Sequence, residues 1–279
     1  MSQLIQLRQR LKAIGTFKKI TGAMRIVSRS LHTRMNKQKK YLLEYQNLIK
    51  ELFIGLQEQQ NQWTSDILLP KTTVPEKKLY LIVGAQKGLC GNYNTELNYW
   101  LENNLTILNA SNVSLITFGR KTFNLVKSHN LHVAYQADEL KNSTLEQLTD
   151  TITKLLLTTT PSYTQVFLIH AYSETFFTHR LKKEIIIPFE SKQEKKDNDT
   201  LWQHCPKLVL DTLAHMYLHS IIYHGLFESL LGEQSARFLA MDNATRSANN
   251  LLDNMQLQYN KIRQTKITRE LTELSASFK

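Results

Sequence analysis

The sequence predicts an α/β fold in which a long antiparallel coiled coil of the N- and C-terminal helices is joined to a small doubly wound, mostly parallel sheet domain. Three observations lead there. No proline precedes Pro70 and none follows Pro206; both proline-free stretches carry an apolar seam at three-four spacing; and the residues between them change to short β-rich runs alternating with helical ones.

The C-terminal stretch, Leu208 to Ser277, is interrupted only by Gly225 and Gly232. As a single helix at 1.5 Å per residue it would run to roughly 105 Å, too long for the interior of one globule. Its distal half carries a seam of Met241, Ala244, Ala248, Leu251, Met255, Tyr259 and Ile262, then after a slip Ile267, Leu271 and Leu274. A narrow seam needs a partner helix, and the N-terminus supplies one in Leu4, Leu7, Leu11, Ile14, Phe17, Ile20, Met24, Val27, Leu31 and Met35. Leu42, Tyr45, Ile49, Leu52 and Leu56 continue the helical period. Two separate bundle helices on a common core would show similar spacing, but uncapped length favours the hairpin.

Between the arms, Leu79 to Ala85, Val113 to Gly119, His132 to Gln136, Gln165 to Ala171 and Glu184 to Phe189 read as strands. Tyr93 to Asn103, Arg120 to His129 and the row Leu145, Leu148, Ile152, Leu155 are helical crossovers long enough to join parallel strands. The last run follows its predecessor so closely that it reads as an antiparallel edge. Residues 191–200, SKQEKKDNDT, are polar and unpatterned and read as a mobile loop. The resulting division is a coiled-coil helix at 1–58, a Rossmann-like α/β domain at 77–190, and a second coiled-coil helix at 207–279 that pairs with the first.

Net charge is +11, and residues 1–40 hold all of it. Arg8, Arg10, Lys12, Lys18, Lys19, Arg25, Arg29, Arg34, Lys37, Lys39 and Lys40 occur there before the first carboxylate, Glu44. A helix without opposite-sign pairs faces an acidic partner, whether nucleic acid, anionic lipid or protein. Two cysteines, Cys90 and Cys205, are too few for a disulfide framework or a zinc site and fit a reduced compartment. No run of apolar residues is long enough to span a membrane, and neither a signal-peptide core nor an Arg- and Ser-rich leader opens the chain, which favours a bacterial protein.

The sheet domain invites a search for a nucleotide site at the turn GAQKGLCGNYN, Gly84 to Asn94. Its glycines match neither G-x-G-x-x-G nor the P-loop, and Gly119-Arg120 stands where a ribose-binding acid belongs, so no cofactor is expected. His215, His219 and His224 share the C-terminal helix without a third ligand type nearby, no nucleophile motif appears, and the expectation is a chain with neither catalytic residues nor a metal.

Specific runs give the chain a family resemblance. Lys18-Lys19-Ile20-Thr21-Gly22-Ala23-Met24-Arg25-Ile26-Val27, the GLCG at Gly88 to Gly91, Glu233-Gln234-Ser235-Ala236-Arg237 with Ala240-Met241 and Asn243-Ala244-Thr245, and Gln256 to Gln264 followed by Ile267-Thr268 and Glu270-Leu271 are similar to segments of the gamma subunit of F-type ATP synthases, in the same order. The chain departs from that pattern at Asn92-Tyr93, at Arg269 and in its last residues, Ser-Ala-Ser-Phe-Lys. The resemblance implies the central-stalk subunit of a rotary motor at the cytoplasmic face of a bacterial plasma membrane. It would couple ion flow to ATP synthesis or hydrolysis in the beta subunits without catalysis of its own. The implied partners are the alpha and beta subunits of the catalytic hexamer, epsilon and the c-subunit ring, and no nucleic acid. The implied coupling residues are Arg8, Arg10, Lys12, Lys19, Thr21, Met24, Arg263, Gln264, Thr268 and Glu270, with Met24 close to the Arg263 to Glu270 segment. A basic coiled coil binding nucleic acid is the competing reading, weakened because no stacking aromatics are interleaved with the basic residues.

Overall fold

The computed structural model describes residues 2–59, 76–137, 140–158, 163–176, 178–189 and 205–277. The expected loop at 191–200 lies outside them. Two compact units form, one from 1–30 with 237–279 and one from 31–236. Two long helices, α1 (Ser2–Gln59) and α6 (Pro206–Ser277), contribute to both.

In the second unit a five-stranded sheet has the order β3-β2-β1-β4-β5. Its strands are β1 (Lys78–Val83), β2 (Val113–Phe118), β3 (Tyr135–Ala137), β4 (Gln165–Ser173) and β5 (His179–Ile187). β1 pairs in parallel with β2 and β4, β2 in parallel with β3, and β5 closes the edge antiparallel to β4. The central strand KLYLIV is an unbroken apolar run because both its faces are covered. One face, with Leu79, Leu81, Val83 and Leu168, packs on α5 (Leu145–Thr158), on Ile49 and Phe53 of α1, and on Leu218, Ile222 and Phe227 of α6. The other, with Tyr80, Ile82, Leu115 and Ile169, is covered by α2 (Thr95–Asn103), α3 (Leu105–Leu108) and α4 (Arg120–Ser128). Phe53 is fully buried, stacked on Tyr217 at 5.7 Å and edge-on to Phe189 at 4.9 Å, which fixes α1 against α6 and the end of the sheet.

Local chemistry explains several boundaries. Gly119 lies at φ +96°, and a Cβ there would meet the Ala85 carbonyl oxygen at 2.9 Å, so the tight passage from β2 into α4 requires glycine. β5 begins at His179, earlier than the sequence predicts, because its exposed edge half carries Arg180, Lys182 and Lys183 and so hides the strand pattern. β3 shrinks to three residues, a short edge.

The first unit is the antiparallel coil. Thr245 Oγ1 donates to Thr21 Oγ1 at 2.9 Å, both residues being buried, and Arg25 meets Asp242 at 2.8 Å. That register opposes Leu4 to Ile262, Leu7 to Tyr259, Leu11 to Met255 and Ile14 to Leu252, all half-buried. The repeat then continues without a slip through Lys18, Thr21, Arg25 and Ser28 on α1, and through Ala248, Thr245 and Met241 on α6. The sequence-derived seam is therefore corrected. Phe17, Ile20 and Val27 are more than half exposed, as is Leu251, one residue and so about 100° around each helix from the true seam. Ile267, Leu271 and Leu274 are exposed because they lie beyond the residues that α1 opposes. The coil keeps a strict seven-residue repeat, which a left-handed supercoil needs, and the seam accepts polar residues to do so.

In the second unit the α1 row is Met35, Lys39, Leu42, Gln46, Ile49 and Phe53, while Tyr45 and Leu52 stay exposed. Gly225 brings α6 closest to the sheet: a Cβ there would fall 2.3 Å from Leu168 Cδ2. Gly55, in contrast, has open space around it. Gly225→Val is expected to cost about 1–3 kcal/mol by overpacking, and Gly55→Ala to stabilise by about 0.5–1 kcal/mol. Thermal unfolding of both variants checks this, and equal shifts would contradict the close approach of α6 to β4.

Candidate functional site

The residues expected to carry function fall into two groups. Arg8, Arg10, Lys12, Lys18 and Lys19 are exposed along the coil and form no ion pair with other described residues. Thr21 is buried in the seam, where its hydroxyl also donates to the Lys18 carbonyl at 3.1 Å, and Met24 is half-buried beside it. Arg263, Gln264, Thr268 and Glu270 are exposed, with Glu270 paired to Lys266 at 3.4 Å within the same helix. The register sets Met24 against residues near Asp242, roughly 20 residues and about 30 Å of helix from Arg263. The expected closeness of Met24 to the Arg263 to Glu270 segment is therefore overturned.

Sequence reasoning passed over the acid that meets the basic arm. Asp242 receives Arg25 and Arg246, each at 2.8 Å. The hydrogen bond from Arg25, which outweighs the opposing desolvation, keeps its carboxyl below the ordinary aspartate value. The available signal was position: Thr21, Arg25 and Thr245 interrupt an apolar repeat at seam spacing, where polar side chains commonly specify register.

At the carboxyl end of β1 the turn after Val83 is held by α6. Glu233, 1% exposed, accepts hydrogen bonds from the Gln86 amide at Oε2 (2.9 Å) and the Lys87 amide at Oε1 (3.4 Å). In a doubly wound sheet such amides, beside the crossover point, are where a ligand's phosphate commonly sits. Here the chain's own carboxylate occupies them. Thr122, Leu97 and Asn94 fill the space against Gly84, and the Asn94 side chain accepts from the Ala85 amide at 3.1 Å. The Tyr93 hydroxyl donates to the Ser229 carbonyl at 2.6 Å. Tyr93 is one of the departures from the family pattern, and it ties the turn to α6.

The histidines of α6 are absorbed by the fold. His219 pairs with Asp150 of α5 at 3.1 Å, and His224 points inward, 3.7 Å from Glu228. Glu228 is fully buried and compensated by Lys39 of α1 at 2.9 Å. His170, also fully buried, lies 3.6 Å from Glu184, which is also paired with Lys182. The cluster sets two ammonium groups, those of Lys39 and Lys182, against two carboxylates. Burial depresses the pKa of His224 despite Glu228 and Glu184 pulling it upward. His179 and His32 are depressed by burial as well. Burial alone would raise Glu184, but hydrogen bonds from His170 and Lys182 outweigh it and hold its pKa at about 2.

The fold and site define a class: two long helices that pair as an antiparallel coil, and a doubly wound sheet whose turn after β1 is held by a carboxylate of α6. The family model described as ATP synthase matches residues 3–279. The ATP synthase gamma chain of Pelotomaculum thermopropionicum is 30% identical over 98% of this chain and 97% of its own length. That of Clostridium botulinum strain Hall is 30% identical over 97% and 95%. In fold, the chain is similar to a component of the Euglena gracilis mitochondrial ATP synthase OSCP/F1/c-ring structure, with TM-score 0.71 and 15% identity over 99% of this chain and 94% of that one. The chain belongs to the ATP synthase gamma-chain family, the central-stalk subunits of F-type ATP synthases.

Two outcomes follow from this geometry. Thr21→Cys with Thr245→Cys, in a Cys205→Ser chain, is expected to crosslink on mild oxidation while Met24→Cys with Arg263→Cys does not; non-reducing gels show which, and the reverse result would refute the register. Because the folded chain holds His224, His179 and His32 below their ordinary 6.5, the unfolded chain binds more protons as pH falls through that value, and stability is lost there. A second loss follows below pH 4.5 as the Glu184 carboxylate, ionised down to about 2, loses its advantage. Melting temperature against pH checks both steps, and His224→Gln should flatten the first.

Proposed function

We propose that this chain is the rotating, non-catalytic subunit of a bacterial F-type ATP synthase, at the cytoplasmic face of the plasma membrane. Residues 1–58 and 207–279 supply the shaft and 77–190 the body. The coil stands inside the hexamer of alpha and beta subunits, and the body rests with epsilon on the c-subunit ring. One observation carries this reading: the outer surface of the coil bears Phe17, Ile20, Ile26, Val27, Leu251 and Leu257, all more than half exposed, interleaved with basic side chains that have no acidic partner among the described residues. An apolar row of that size beside unpaired cations suits an enclosing surface with acidic loops. The gamma-chain relatives and the Euglena gracilis rotor structure, similar at TM-score 0.63, support the same assembly. Among the described residues no helix is long and apolar enough to cross a membrane, so membrane attachment is assigned to the partners.

Ion flow turns the ring and the shaft with it. The coil is asymmetric, and each beta subunit meets a different face in turn. Binding affinity at each catalytic site then shifts by as much as that subunit's contact energy differs between faces. Arg8, Arg10, Lys12 and Lys19 steer and hold the acidic surfaces, Thr21 and Met24 lie at the lower coil, and Arg263, Gln264, Thr268 and Glu270 serve a separate contact toward its tip. The chain itself neither binds nor hydrolyses ATP.

Purification under gentle conditions should recover alpha and beta subunits with the chain, while calorimetry on the chain alone shows no nucleotide binding. Replacing Arg8, Arg10, Lys12, Lys18 and Lys19 by glutamine is expected to leave the fold intact, since exposed charges contribute little stability, and to lower ATP-driven pumping relative to hydrolysis in membrane vesicles. Unchanged coupling, or recovery of nucleic acid in place of the hexamer, would overturn the reading.

A further inference from the structure

Between His224 and Ser235, α6 is wholly buried yet rich in polar residues. Four of these residues each reach a different element of the same unit. Glu228 binds Lys39 of α1, Ser229 accepts the Tyr93 hydroxyl at its carbonyl and has its own Oγ 2.8 Å from it in the turn before α2, Glu233 accepts from the Gln86 and Lys87 amides, and Ser235 Oγ lies 3.2 Å from His179 Nε2 of β5. The two helix glycines make this reach possible. Gly225 seats α6 on Leu168, and a Cβ on Gly232 would come within 3.2 Å of Ser173 Oγ and 3.3 Å of the Tyr93 ring.

At about 100° per residue, Glu228 and Ser235 point one way and Ser229 and Glu233 point roughly 140° away. The helix is therefore gripped on two faces. Apolar contacts are non-directional, and a helix turning about its axis can exchange one set for another; hydrogen bonds and ion pairs fix an angle. Net stability does not explain such groups, because a buried ion pair replaced by well-packed apolar residues is often no less stable. We propose that the polar residues of α6 from Glu228 to Ser235 form the torsional joint that locks the rotation of α6 to the α/β body, with Glu228–Lys39 and Glu233 on the β1 turn as its opposed fixed points. The inference rests on the rotor reading given above, which it deepens by naming where torque passes from shaft to body.

The test uses the complete enzyme carrying this chain, the hexamer fixed to glass and a bead attached to Asn109→Cys on the body in a Cys205→Ser background. Two changes are compared with wild type: Lys39→Met with Glu228→Leu, and Glu233→Gln alone. Both are expected to keep the hydrolysis rate and the first to keep the melting temperature, while the bead's angular spread during pauses widens in both. The charge exchange Lys39→Glu with Glu228→Lys should restore the wild-type spread on its side of the joint. In solution, Glu233→Gln should also raise hydrogen exchange at the Gln86 and Lys87 amides. An unchanged spread in both variants overturns the joint, and so does a spread that widens only in proportion to a lowered melting temperature. If the double variant fails to assemble, Glu233→Gln decides by the same measurement. A wild-type bead that does not rotate with ATP contradicts the rotor reading instead of the joint.

Discussion

The register of the coil is the constraint on which the rest depends. Two buried threonines, Thr21 and Thr245, share one hydrogen bond, and Arg25 reaches Asp242 one layer away. A shift by one heptad in either direction would part the two hydroxyls and set Thr21 against Phe238 or Leu252, with the loss of a buried hydrogen bond costing about 1–3 kcal/mol. An apolar seam alone is more permissive, because leucine opposite methionine differs little from leucine opposite tyrosine. The polar layers thus choose among alignments that the apolar layers would nearly tolerate. They also determine which apolar residues face outward, and so what kind of surface the coil presents.

In the α/β body, parallel strands with a crossover point create amides suited to an anion, as in many nucleotide-binding folds. Glu233 takes them, and packing by Thr122, Leu97 and Asn94 removes the space a ligand would need. The same architecture thereby serves as a mechanical mount, with function residing in a local arrangement that the fold alone does not imply. The carboxylate is supplied by the helix that also forms the coil, so the β1 turn and α6 hold each other.

The paired charges of this body form one further layer of organisation. Lys39 balances Glu228 and Lys182 balances Glu184, with His170 beside Glu184 and His224 beside Glu228. Burial holds the His224 pKa down and hydrogen bonds hold that of Glu184 down, so acid acts on His224 before it reaches the Glu184 carboxylate.

Much was legible in the sequence because it depends on local pattern. Proline-free length and three-four spacing determined two long helices, and the unbroken run KLYLIV a central strand. The runs around Met24, Gly88, Glu233 and Tyr259 were enough to mark the family. What only the tertiary structure decided was facing. Phe17 and Lys18, or Leu251 and Leu252, are each compatible with helical spacing, and choosing between them required the opposing helix and its threonine pair. The closeness expected for Met24 and Arg263 failed for the same reason: antiparallel register is a relation between segments more than two hundred residues apart. The roles of Glu228 and Glu233 are set by Lys39 and the β1 turn, since a buried polar group is explained by its partners and those partners are distant in sequence.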